Sequence, residues 1–165
     1  MLIKFLLGIA IVVFSAFCGY LLAKKYRQRK SFFLQFKDFN LRFLNEISYY
    51  RRPLAEFAVE TSYQGEFQEM LSLFFQTIEE RSVGERIFLD ETQFAFLSKE
   101  ERSFAENYFQ MLGRGDSFSQ KNYFSSVKDE LQKKQTETET ECKKFGDLYV
   151  KIGFLCGLLI LILIL

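Results

Sequence analysis

Two apolar runs bracket a long region whose hydrophobic residues recur every three or four positions. The first, Leu2 to Ala23, reads LIKFLLGIAIVVFSAFCGYLLA and carries one charge, Lys4. As a helix it spans about 33 Å, against about 30 Å for the hydrocarbon core of a bilayer. The second, Leu148 to Leu165, is shorter, about 27 Å as a helix, with Lys151 one turn inside its start. Its Leu, Ile and Phe residues outweigh a lysine able to snorkel to the headgroups. Between these runs Phe36, Phe39, Phe43, Ile47 and Tyr50 fall on one helical face, and Phe67, Met70, Leu71, Phe74, Phe75 and Ile78 on another. A third helix carries Phe104, Ala105, Tyr108, Phe109 and Leu112, opened by a Ser98 to Glu101 capping box and stopped by Gly113 and Gly115. Asp116 suits the N-cap of the next helix, read from about Ser117 to Phe145 and on into the second run. Pro53 predicts a break and a new helix through Leu54, Phe57 and Ala58.

No apolar and polar alternation of strand type stands out, and the alternating run Thr136 to Glu141 has nothing to bury. It reads as the exposed middle of the last helix, laced by pairs such as Asp129 with Lys133, Glu130 with Lys134 and Glu139 with Lys143. The predicted class is all-α. A transmembrane helix within residues 1–25 and another at 148–165 flank a cytoplasmic bundle of about five to six helices over residues 26–147.

Charge sets the expected orientation. Lys24, Lys25, Arg27, Arg29 and Lys30 follow the first run, whereas Lys4 is the one charge near its other end. Lys143, Lys144 and Lys151 cluster at the upstream end of the second. Both asymmetries place the middle segment in the cytoplasm and both termini outside. A cleaved signal peptide is the competing reading. It requires an apolar core shorter than this one and translocation of five cations. A lipoprotein signal at Cys18 is a further alternative, disfavoured by the bulky Phe17 before the cysteine.

Of 165 residues, 48 % are hydrophobic and 26 % charged, in keeping with membrane segments joined to a polar domain. The middle segment is slightly acidic and offers no nucleic-acid footprint. The chain contains no histidine, which removes the commonest neutral-pH acid, base and metal ligand. Its three cysteines, Cys18, Cys142 and Cys156, form no zinc or disulfide pattern, and no Gly-rich phosphate loop is present. The GRGD sequence at Gly113 to Asp116 reads as a turn and cap. Adjacent acids such as Glu79 with Glu80 and Glu100 with Glu101 point to different helical faces. No enzyme is expected, and no cofactor, metal or small-molecule substrate.

The phrases LNEISYYRRPLAE, LGRGDSFSQ and YVKIGFLCGLLILILIL occur in the order of the corresponding segments of stage III sporulation protein AB, from endospore-forming Firmicutes. The chain resembles that family at Leu44, Glu46, Ile47, Tyr49, Pro53 and Leu54, then at Leu112, Gly113, Asp116 and Gln120. It does so again at Gly153, Phe154, Leu155 and Gly157. From Tyr63 to Leu97 only a generic helical pattern remains. The resemblance implies an all-helical domain similar to the cytoplasmic part of the inner-membrane platform subunit of type II secretion and type IV pilus machines. It further implies a component of the stage III channel between mother cell and forespore, coupling a secretion-type ATPase to other stage III sporulation membrane proteins. Arg51 and Arg52, at the proline bend, are candidate contacts for an acidic partner. Gly153 and Gly157 form a small-xxx-small pair that admits a close helix, with the first span as one possible partner. A general membrane-anchored helical scaffold or signalling protein, unrelated to sporulation, is the alternative from a different class.

Overall fold

The structure is a computed structural model and describes residues 2–50, 63–80, 87–114 and 116–164. Helix α1 runs Leu2–Asn45 and ends in a wider π-type turn, Glu46–Tyr50. Helix α2 is Gly65–Glu80, α3 is Lys99–Met111 and α4 is Ser117–Glu141; a second π-type turn, Cys142–Gly146, joins α4 to α5, Asp147–Ile164. No strand occurs among the described residues, and the class is all-α.

Taken with their π turns, these helices form four continuous stretches among the described residues, where the sequence suggested five to six for the middle region alone. The difference arises where apolar and amphipathic patterns abut. Nothing between Leu2 and Asn45 breaks a helix, so the first apolar run and the Phe36 to Phe43 face share α1. The helix expected after Pro53 lies outside the described residues, as do Arg51, Arg52, Pro53 and Leu54.

The chain divides into two compact units, one of Met1–Lys30 with Thr136–Leu165 and one of Ser31–Gln135. In the second, the aromatic stripes meet. Phe32, Phe33, Phe36 and Phe39 of α1, Phe67, Met70 and Phe74 of α2, and Tyr108 and Phe109 of α3 are all buried, with Phe124 and Leu131 of α4. Phe36 sits edge-on to Tyr108 at 4.7 Å between ring centres and beside Phe67 at 5.7 Å, contacts that add to the gain from burial alone. The capping box of α3 forms as its sequence predicts: Glu101 N–H donates to Ser98 Oγ at 3.2 Å and Ser98 N–H donates to Glu101 Oε2 at 2.9 Å.

Residues 87–98 correct the expectation of helix throughout. They form an irregular stretch and turns, yet bury Ile87, Leu89, Phe94, Phe96 and Leu97. Helix α3 holds this backbone. Glu106 accepts from Leu89 N–H at 3.0 Å, and Arg102 donates to Leu97 O at 3.2 Å while pairing with Glu91 at 2.8 Å. An irregular segment can cover a core when side chains satisfy its polar groups in this way.

In the other unit α1 and α5 run antiparallel. Small residues set the register. A side chain at Gly153 would meet Ser15 O at 2.7 Å and Gly19 Cα at 3.2 Å, and one at Gly157 would meet Val12 Cα at 2.8 Å. Ser15 Oγ donates to Gly153 O at 2.6 Å, a bond across the seam. Farther along, Tyr26 stacks on Tyr149 and lies beside Phe145, and Arg29 pairs with Glu141. Thr138 is buried, so the run Thr136 to Glu141 does have a face to bury, against expectation. The ion pairs Glu130 with Lys134 and Glu139 with Lys143 are present on α4 and the turn after it.

Candidate functional site

The candidate residues fall into a turn and a helix seam. Helix α3 ends at Met111, and the chain turns at Gly113, whose φ of 77° lies in the left-handed region that costs a side-chain-bearing residue free energy. Leu112 anchors this turn in the core, fully buried. Asp116 then starts α4: its Oδ1 accepts from Ser119 N–H at 2.7 Å, and its carbonyl accepts from Gln120 N–H at 3.0 Å. The side chain of Gln120 reaches back and donates to Arg114 O at 3.1 Å. Bonding from Ser119, backbone first and then side chain, holds the Asp116 carboxyl below the ordinary aspartate range. Gly113, Asp116 and Gln120 are therefore parts of one turn, with polar atoms directed at their own backbone.

Glu46 and Tyr49 lie in the π-type turn that ends α1, and Glu46 is buried. An open groove of about 680 Å³ follows α1 between Ser31 and Arg42, lined by Leu34, Gln35, Lys37, Leu41, Arg42 and Tyr63 among others. Its charges are engaged within the unit. Lys37 donates to Gln132 and Gln135 at 3.2 Å each, and Arg42 pairs with Asp38 at 2.7 Å. Among the described residues no three His, Cys, Asp or Glu side chains converge as a metal site would require.

Gly153 and Gly157 lie on the face of α5 that α1 approaches, where Ser15 and Gly19 supply the complementary small positions. Sequence reading singled out the two glycines of α5 and passed over Gly8, Ser15 and Gly19 of α1. Their spacing in the first apolar run was the available signal. It also passed over Asn40, which is fully buried: its side chain donates to Phe124 O at 3.2 Å and accepts from Tyr108 Oη at 3.0 Å. A lone asparagine amid phenylalanines is the mark of such a bond. Burial pushes the Tyr108 hydroxyl well above the usual tyrosine range, so it stays a donor at neutral pH.

Two helices, Gly8–Ser48 and Ser117–Leu163, are long and apolar enough to cross a membrane by length and composition. In the first unit Val13, Phe14, Phe17, Leu21 and Leu22 of α1 and Leu155, Leu159, Ile162 and Leu163 of α5 are exposed. Two helices of this kind fit a membrane protein.

Neither a curated protein nor a solved structure matches the chain. One family model does, over residues 4–165, taking in both apolar helices and everything between them: the chain belongs to the stage III sporulation protein AB family.

Proposed function

We propose that this protein is a non-enzymatic membrane component of the stage III sporulation complex. Its helical domain stands on the cytoplasmic, mother-cell side, held at both ends by transmembrane helices, as a platform that couples a secretion-type ATPase to other stage III sporulation membrane proteins. The supporting observation is the family match over 4–165 on a chain whose two apolar helices flank a unit with its own aromatic core. The match also favours this reading over a scaffold unrelated to sporulation.

Orientation follows from the basic residues at Lys24 to Lys30 and at Lys143, Lys144 and Lys151, with both termini outside. Contact with the motor falls to the domain, in which Arg51 and Arg52, outside the described residues, are candidates for an acidic partner. Tethering a folded domain at both ends restricts its orientation, as transmission of force or register requires. The test is co-purification of the secretion-type ATPase with the tagged full chain from sporulating membranes. Its recovery with the wild-type chain, and its release to the soluble fraction on deletion, is expected. A motor that stays on the membrane without this protein would refute the coupling role.

A further inference from the structure

The residues of α4 and α5 that meet α1 follow two different helical phases. Along α1, Val12, Ser15, Gly19, Tyr26 and Arg29 recur at steps of three, four, seven and three, the period of one face of an unbroken α-helix. Across the seam the matching residues are Gly157, Gly153, Tyr149 and Glu141, and Gly146 and Thr138 are buried on the same stretch. An α-helix advances about 100° per residue. In an unbroken one, Thr138 and Glu141 would therefore point about a quarter turn away from Tyr149, Gly153 and Gly157. Both sets could not then face α1.

The turn Cys142–Gly146 removes this offset. Its π geometry closes bonds five residues apart rather than four, so it takes up about one residue more than an α turn without advancing the contact face. The chain enters and leaves it in helical conformation, Glu141 at φ −63° and ψ −42° and Asp147 at φ −79° and ψ −32°, so the helix continues through the turn. Within it, Gly146 is buried and Phe145 lies 5.5 Å from Tyr26 between ring centres, whereas Lys143 and Lys144 are exposed.

We propose that Cys142–Gly146 is a phase joint between α4 and α5. Its extra residue lets Glu141 reach Arg29 while Gly153 and Gly157 seat against α1. Conversion to an α turn at constant length would swing the two glycines about a quarter turn off α1. Joint and seam are therefore coupled: a rotation imposed on α4 is either absorbed in the turn or opens the pair of apolar helices. The inference concerns the fold of this unit and stands whichever side of a membrane the rest of the chain occupies.

The test changes the length of the turn by one residue in the full chain. Deleting Lys144, an exposed residue of the turn, is expected to leave an ordinary α-helix that keeps both sets of contacts. An alanine inserted after Lys144 adds a second surplus residue and is expected to lose at least one set. Resistance to sodium dodecyl sulfate in mixed micelles reads the α5 contacts. A short bis-maleimide joining Arg29→Cys to Glu141→Cys, in a chain whose Cys18, Cys142 and Cys156 are serine, reads the α4 contact. The expected result is parent-like behaviour of the deletion in both assays and a loss in either assay for the insertion. Loss of either set on deletion, as an unbroken α-helix would show, or an insertion that matches the parent in both assays, would overturn the joint.

Discussion

Asn40 is the residue on which the aromatic core turns polar. It links α1 to Phe124 O in α4 and to the Tyr108 hydroxyl in α3, all inside a cluster otherwise made of rings and aliphatic chains. Asn40→Leu strands that hydroxyl and Tyr108→Phe strands the Asn40 side-chain oxygen, so each is expected to cost about 1–3 kcal/mol, whereas replacing both removes donor and acceptor together. Denaturant unfolding of the full chain in detergent, followed by far-ultraviolet circular dichroism, should show the double variant losing less than the sum of the single losses. Additive losses would mean the bond is not made. The stripe positions Phe36, Phe39, Phe67 and Phe109 were legible in the sequence because helical periodicity needs only one face to be apolar. Asn40 was not, since its partners come from helices that sequence spacing cannot bring together.

At the scale of elements, the ends of helices were the clearest features and their lengths the least. Ser98 with Glu101, Gly113 and Asp116 all do what their local chemistry dictates, because a cap is satisfied by neighbours three residues away. The merger of the first apolar run with the Phe36 face needs only the absence of a breaker between them, whereas the loop at 87–98 depends on side chains from α3. Asp116 provides an acid-side test. Its carboxyl titrates lower in the folded protein than in the unfolded chain, so its contribution is present above about pH 3.9 and is lost as pH falls through the folded value. Asp116→Asn keeps a capping oxygen without the titration. Its stability curve below pH 4 is expected to be flatter than that of the parent, and an unchanged curve would contradict the cap.

The α1 and α5 seam yields a second test between elements. A side chain at Gly157 would run into Val12 Cα, and one at Gly153 into the backbone of Ser15 and Gly19, none of which can rotate away. At Gly8 the obstacle is the tip of the Leu161 side chain, which can. Gly153→Leu and Gly157→Leu are therefore expected to lower resistance to sodium dodecyl sulfate in mixed micelles, with Gly8→Ala close to the parent. Removing the hydroxyl in Ser15→Ala should cost about 0.6 kcal/mol, the typical worth of such a bond in lipid. Equal behaviour of all four variants would show that the seam does not hold the pair together.

For the molecule as a whole, two apolar helices join a charged, aromatic-cored unit, and every functional expectation depends on where that unit stands. The apolar runs and the excess of cations beside them were plain in the sequence, since hydropathy and charge are counted without knowing any contact. The partner surface was not, because a protein interface has no local pattern and Arg51 and Arg52 fall outside the described residues. The most direct measurement is the side of the membrane on which residues 31–135 lie. Lys128, exposed on α4, is replaced by cysteine in a chain whose Cys18, Cys142 and Cys156 are serine, and the protein is treated with a membrane-impermeant maleimide. Labelling only after protoplasts are lysed is the expected result, placing the domain in the cytoplasm as the proposed coupling to an ATPase requires. Labelling of intact protoplasts would put it outside and contradict the proposed coupling to a cytoplasmic motor.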